Sequence, residues 1–190
     1  MNKSCSLIII DNFYSNPDDI IKYILTQNFD VKGNYPGQRT RSFATEELKN
    51  TIQKYIEPFA GKIIDFPLSE NSYNGTFQYT TSKERSWIHV DPHNNWGGVL
   101  YLTPDAPLSS GTGFYKFKEN NIMYQETELS DKTSHCSQDI TKWELVDRVG
   151  NVYNRLILFN SKKFHSSMDY FGKDKFDGRL FQVFFFSTEK

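Results

Sequence analysis

Cysteine is scarce: Cys5 and Cys136 are the only two in 190 residues. They allow at most one intrachain disulfide, and neither has the CxxC neighbour of a structural zinc ligand, so disulfide-scaffold and structural-zinc classes are excluded. An excess of one charge is missing too. Lys and Arg number 22 against 23 Asp and Glu, a net charge of -1, and no basic cluster is dense enough to neutralise a run of phosphates. Nucleic acid and anionic membrane are therefore not expected as partners. Long apolar runs are absent near the start, where the stretch from Ser6 to Ile10 ends at Asp11. That is too short for a signal-peptide core or a bilayer span, so a cytoplasmic location is expected. What the chain does have is aromatic residues, 16 Phe and 11 Tyr, which supply the large apolar surfaces that disordered chains lack. Its length is near the upper end of one ordinary domain, so a single domain over 1–190 is expected.

Two helices are expected in a support region over residues 1–60. A short strand over 7–10 precedes Asn16-Pro17-Asp18-Asp19, where a cap, a first-turn proline and two acids suit a helix N-terminus. Ile20, Ile21, Ile24 and Leu25 then share one face through about residue 28. Residues 33–43 carry two glycines and a proline and read as a loop displaying Arg39 and Arg41. A second helix, capped by Thr45 and carrying Leu48, Ile52, Tyr55 and Ile56 on one face, is expected to end at Glu57-Pro58.

From Ile63 the apolar period changes from about 3.6 to 2. Strands are predicted at 62–67, 73–81, 85–91, 97–103, 112–117, 142–150, 154–160, 164–169 and 179–186. Too few residues separate them for crossover helices, which excludes a βαβ arrangement. The expected fold is mainly β with flanking α: a double-stranded β-helix, or cupin-like jelly roll, over 61–190, with the N-terminal helices packed on one sheet. A helix layer would explain why 179–186 is apolar on both faces, through Leu180, Phe184 and Phe186. Residues 118–139 are polar and read as a long excursion between strands.

Trp87-Ile88-His89-Val90-Asp91 alternates, so His89 and Asp91 are neighbours on one face of an extended segment. An imidazole and a carboxylate so placed can grip one face of an octahedral ion, and a distant third histidine completes a facial triad with positions left open. His165, after the apolar run Arg155 to Phe159, is the candidate. Taken alone, HxD is equally met by a half-buried histidine beside a turn acid.

Order and spacing add to this motif. From about residue 73 to 186 the chain resembles the Fe(II)/2-oxoglutarate-dependent dioxygenases, and among them the prolyl-hydroxylase-like branch. Tyr79 precedes the His89-Val90-Asp91 motif, and Gly98-Val99-Leu100-Tyr101-Leu102 follows it. Gly111-Thr112-Gly113-Phe114, Arg155-Leu156-Ile157-Leu158-Phe159, Phe164-His165-Ser166 and Gly178-Arg179-Leu180 then come in the family's order. The resemblance implies Fe(II), 2-oxoglutarate as co-substrate, O2, and hydroxylation of a small-molecule or peptide substrate. It also implies that Arg179 receives the distal carboxylate of 2-oxoglutarate, a role a bidentate, permanently charged guanidinium suits. Two features depart from the common pattern: Arg179 lies fourteen residues after His165, a few more than usual, and Phe181 stands where a serine or threonine often assists. Tyr79 and Tyr101 are candidates for that help, with aromatic packing as the alternative for either. Family members that halogenate lack the metal carboxylate, whereas Asp91 fills that position, so the resemblance implies hydroxylation.

Arg39, Arg41, His93 and Trp96 are candidate substrate contacts; solvation for the arginines and core packing for Trp96 are the alternatives. Trp87 shares the parity of the metal residues. Ser166 and Ser167 have no acid in a nucleophile motif, which removes serine hydrolysis. Two other functions remain at this point. A cupin-like metal enzyme without 2-oxoglutarate would bring in a third histidine, His93, and a nonenzymatic jelly-roll module would leave the triad side chains apart.

Overall fold

The apolar run near the start forms strand β1 (Leu7–Ile10), and the Asn16-Pro17 signal opens helix α1 (Pro17–Ile24). The structure, a computed structural model, describes residues 5–125 and 131–190; residues 126–130 of the polar excursion lie outside it. The chain continues through β2 (Gln38–Ser42), α2 (Glu46–Ala60), β3 (Ile63–Asp65), β4 (Thr76–Thr80), β5 (Trp96–Tyr101) and β6 (Thr112–Phe117). It then forms α3 (Asp131–His135), β7 (Trp143–Val149), β8 (Leu156–Asn160), β9 (His165–Ser167) and β10 (Arg179–Thr188). One antiparallel sheet has the order β1-β8-β5-β10-β4-β2, with β3 added on β10, and a smaller one has the order β7-β6-β9. This is the double-stranded β-helix with an N-terminal helix layer.

β10 shows how the sequence divides the layers. Leu180, Phe184 and Phe186 face outward into a cluster with Ile24 of α1 and Ile52 and Ile56 of α2. Phe181 and Val183 have the opposite parity and face between the sheets. There Tyr101, Ile157 and Phe159 of the large sheet meet Phe114 and Val149 of the small one. A third cluster, of Ile88, Val90, Tyr115, Phe117, Trp143 and Phe164, covers the outside of the small sheet. Gln182 is the polar exception on the outer face; it accepts a bond from Tyr14 Oη at 2.6 Å and donates to the Gly75 carbonyl at 3.0 Å.

Four expectations change. α1 stops at Ile24, short of residue 28. α2 runs through Pro58 to Ala60, because a proline in the last turn forfeits one bond while Ile56 and Ala60 stay buried; Gly61, at φ 76°, ends it by donating to the Glu57 carbonyl. Residues 38–42, read as loop, form β2 against β4. Residues 85–91 form no ladder strand, only a bridge between His89 and His165, although their alternation holds. No helix among the described residues is long and apolar enough to cross a membrane.

The start of α2 supplies one stability test. Thr45 Oγ1 accepts from Leu48 N at 3.1 Å, satisfying an otherwise orphaned first-turn donor. Thr45→Ala is expected to cost about 1 kcal/mol and to lower the melting temperature by roughly 2–4 °C. An unchanged calorimetric melt would show that the cap contributes nothing.

Candidate functional site

His89, Asp91 and His165 converge between the sheets, one ligand atom of each lying within 4.8 Å of the others. The backbones of the two histidines bond reciprocally, His89 N to the His165 carbonyl at 3.0 Å and His165 N to the His89 carbonyl at 2.9 Å, which fixes both side chains on one side of the bridge. Asp91 Oδ1 lies 3.8 Å from His89 Nε2 and Asp91 Oδ2 lies 3.2 Å from His165 Nε2. An octahedral ion with bonds of about 2.1 Å sets neighbouring donors about 3 Å apart, so small adjustments would let the three groups share one face of such an ion. Asp91 has room because β5 carries glycine beneath it: a Cβ on Gly97 would lie 3.4 Å from Asp91 Oδ2 and 3.0 Å from the Phe159 ring.

The tautomers suit metal ligation. His89 Nδ1 lies 3.0 Å from the Trp87 carbonyl and His165 Nδ1 lies 2.8 Å from the Lys163 carbonyl. A carbonyl only accepts, so each Nδ1 carries a proton and Nε2 is the ring nitrogen left to face the cluster. Burial, reinforced by His165, pushes the His89 imidazole toward its neutral form. Burial alone would raise the Asp91 carboxyl, but the two histidines and Arg39 outweigh it and hold the group below its ordinary range. The resulting donor set is two imidazoles and one carboxylate.

A second feature lies on the same inner face. Arg179, at the start of β10, is fully buried; its Nε donates to the Ser110 carbonyl at 2.6 Å and its Nη2 to the Gly111 carbonyl at 3.4 Å. Its guanidinium lies over the rings of Phe181 at 4.3 Å and Tyr101 at 5.5 Å. Burial lowers its proton affinity and the Tyr101 and Tyr170 hydroxyls partly restore it; no carboxylate among the described residues pairs with it. Its Nη1 makes no hydrogen bond to the described residues. Neither does Oγ1 of Thr80, its partner in the β4 register, nor Oη of Tyr170, whose electrostatic influence places it beside the same guanidinium. A buried charge with an orphaned hydroxyl beside it is expensive unless an anion satisfies both. A carboxylate fits that donor set.

The remaining sequence candidates separate. Tyr101 lies on the inner face, fully buried, with its hydroxyl 2.7 Å from Thr112 Oγ1 and its ring beside Arg179. Tyr79 does not join it: its parity in β4 turns it outward, where it packs in the helix-side cluster, edge-to-face with Phe29 at 5.2 Å between ring centroids. Trp96 is corrected likewise, being buried in that same cluster with Nε1 donating to Thr188 Oγ1 at 3.0 Å. Arg41 leaves the site because the ladder slips between Arg39 and Ser42, breaking the shared alternation; its exposed guanidinium pairs with Glu70 at 2.7 Å. His93 is exposed in the turn after Asp91 and is not a member of the metal-type cluster. Arg39 is buried rather than displayed on a loop, and is bonded to Gln78. Trp87 is half-buried, its ring 5.9 Å from His89. Sequence reasoning missed Thr80 and Tyr170. Thr80 could have been found from its position opposite Arg179 once the β4–β10 pairing was known; Tyr170, in a loop, gave no signal.

A family model described as "Family of unknown function (DUF6445)" matches residues 1–186. No curated protein matches the sequence. Among solved structures, HygX from Streptomyces hygroscopicus with nickel, 2-oxoglutarate and hygromycin B bound is similar at a TM-score of 0.68 and 10% identity, over 98% of this chain and 84% of that one. The same protein with iron bound gives a TM-score of 0.60 at 7% identity, over 98% and 83%. IDO from Bacillus thuringiensis gives 0.51 at 9% identity, over 97% and 94%. At such identities these are likenesses of fold.

Proposed function

Because the chain belongs to DUF6445, a family of unknown function, we propose an activity from the site itself: an Fe(II)- and 2-oxoglutarate-dependent dioxygenase that hydroxylates an aliphatic carbon of a small molecule, amino acid or peptide side chain. The observation that carries this reading is the pairing, on one inner face, of a two-histidine, one-carboxylate cluster with a buried arginine whose Nη1 has no hydrogen-bond partner among the described residues. HygX, with which the chain shares its fold, binds iron in one structure and 2-oxoglutarate with nickel in another. Iron, 2-oxoglutarate and O2 together supply the oxidising power for C–H hydroxylation, with succinate and carbon dioxide as the other products.

Each residue then has a definite task. His89, Asp91 and His165 bind the metal through Nε2, a carboxylate oxygen and Nε2, and the two backbone carbonyls at Nδ1 hold the imidazoles in the ligating tautomer. Arg179, Thr80 and Tyr170 bind the distal carboxylate of the co-substrate, and Tyr101 packs beside the guanidinium. Phe114, Ile157 and Phe159 line the space between the sheets and exclude water. Asp91 occupies the position a halide would need, which favours hydroxylation.

The other readings fit less well. A cupin-like three-histidine centre would need His93, which is exposed in its turn. A binding module would not require the triad to converge. The likeness to the prolyl-hydroxylase-like branch loses Tyr79, so the reading rests at the level of the superfamily. Protein loaded with Fe(II) without oxygen, then given 2-oxoglutarate and air, is expected to form succinate above the iron-free control even before its substrate is known. Iron-loaded protein that binds 2-oxoglutarate yet forms no succinate would refute the oxygenase reading.

A further inference from the structure

A second buried arginine faces the same interior. Arg39 on β2 is only 6% exposed. Its Nε donates to Gln78 Oε1 at 2.9 Å and its Nη2 donates to the same oxygen. Gln78 Nε2 donates to the Pro36 carbonyl at 2.5 Å, so the amide is oriented to offer Arg39 its neutral oxygen. The guanidinium is stacked 3.7 Å from the Tyr35 ring centroid and 5.3 Å from that of Tyr73. Tyr35 is in turn tied to the Val31 carbonyl through its hydroxyl at 2.5 Å. The side chain is therefore held in place before any ligand arrives, and Nη1 is the part of it that no described residue engages.

No carboxylate forms an ion pair with Arg39 among the described residues. The acid that acts on it electrostatically is Asp91, and Arg39 in turn helps hold Asp91 ionised, so the guanidinium lies within electrostatic reach of the triad. Burial pushes the guanidinium down to about 10, which leaves it fully charged at neutral pH. Through the register, Arg39 lies opposite Gln78 and Gln78 opposite Phe181, the ring that also covers Arg179. The two arginines thus lie on the same side of the large sheet, on β2 and β10 with β4 between them, and one same-face row apart along the strands.

We propose that Arg39 is the substrate clamp, and that the substrate is a monoanionic carboxylic acid whose carboxylate pairs with Arg39 while its C–H bonds extend toward His89, Asp91 and His165. This assignment rests on the oxygenase reading, in which Asp91 is committed to the metal and cannot also neutralise Arg39. Counting the ion, Asp91, both carboxylates of 2-oxoglutarate and the two arginines, the pocket holds one net positive charge, which a single carboxylate cancels. A dianionic phosphate would overshoot that balance. Contact with the face of the Tyr35 ring, together with the two bonds to Gln78, holds the guanidinium in place and so favours planar carboxylate recognition.

Ligand-observed saturation-transfer NMR with matched acids and amides, butyrate with butyramide and 4-phenylbutyrate with 4-phenylbutyramide, tests the clamp without knowledge of the natural substrate. The wild-type protein is expected to bind the acids and not the amides, with or without saturating 2-oxoglutarate. Arg39→Gln should weaken acid binding on the order of thirtyfold or more and leave 2-oxoglutarate affinity within about twofold. Arg39→Lys keeps the charge, and retained preference for acids at reduced affinity would separate recognition from loss of fold. Equal binding of acids and amides, equal binding by wild type and Arg39→Gln, or no acid binding at all would overturn the clamp. Displacement of the acids by 2-oxoglutarate would overturn it as well, by assigning them to Arg179. A protein that binds acids through Arg39 but does not bind 2-oxoglutarate would instead remove the co-substrate reading and leave the anion site standing.

Discussion

Arg179→Leu protein loaded with Mn(II) under nitrogen is expected to bind 2-oxoglutarate more weakly by about 2 to 5 kcal/mol, while its affinity for Mn(II) stays that of the wild type. The size follows from desolvation. Arg179 is fully buried, its Nη1 has no partner, and Thr80 Oγ1 and Tyr170 Oη are likewise unsatisfied. A carboxylate delivered there gains charge-assisted bonds in a water-poor space, and removing the guanidinium leaves it buried and uncompensated. Tyr170→Phe removes one hydroxyl donor and should cost about 1.5 to 3 kcal/mol, the worth of a hydrogen bond to a charged group. Metal affinity is untouched in both because the three ligating side chains are unchanged. Isothermal titration separates the outcomes: an unaltered dissociation constant in Arg179→Leu would remove the guanidinium from co-substrate recognition. It would also leave its free Nη1 without an explanation.

The convergence of His89, Asp91 and His165 was legible because two of them are two residues apart in an alternating segment, and that parity survives even though 85–91 forms no ladder strand. Ile88 and Val90 go to one cluster, and His89 and Asp91 to the other side. The helix layer was legible for a related reason, since the even-numbered apolar residues of β10 needed a cover. What stayed hidden was polar. β2 reads QRTRS, and its buried residues Arg39, Thr40 and Ser42 carry no apolar period, so turn signals on either side dominated the reading. Each buried polar residue of the strand is matched by a partner: Arg39 by Gln78, Thr40 by the Phe77 amide and Ser42 by the Asn74 carbonyl.

The misplaced aromatics have another cause. Tyr79 and Trp96 stand out in the sequence by residue type and by position near the motif, but parity in one strand does not carry to the next without the register. The register sets Leu180 opposite Tyr79 and Phe186 opposite Trp96, and both partners belong to the helix-side cluster. Tyr101 is placed by the same rule: it lies opposite Phe181, on the inner face. Tyr170 was beyond reach, because the direction of a loop hydroxyl depends on the path of the chain from β9 to β10, and no local pattern fixes that path.

His165→Ala should abolish metal binding without unfolding the chain. The backbone bonds joining His89 to His165 are main-chain and remain in the variant, as do the β6–β9 pairings at Thr112, Gly113 and Phe114. The side chain does pack, with its ring centroid 4.6 Å from Phe159 and 6.5 Å from Phe114, so a cavity penalty of about 1 to 3 kcal/mol is expected in metal-free protein. The metal effect should be larger. Losing only the group that orients a ligand typically costs 10- to 100-fold in affinity, so losing the ligand itself should exceed about 100-fold. Thermal unfolding with and without Mn(II) measures both quantities in one series. At a free metal concentration about 100 times the wild-type dissociation constant, the wild type should gain about 2.7 kcal/mol and His165→Ala almost nothing. His89→Ala should behave in the same way. His93→Ala, at an exposed position outside the cluster, should keep the full metal-dependent gain. A wild-type gain in His165→Ala, or its loss in His93→Ala, would show that the ion is held by another set of groups.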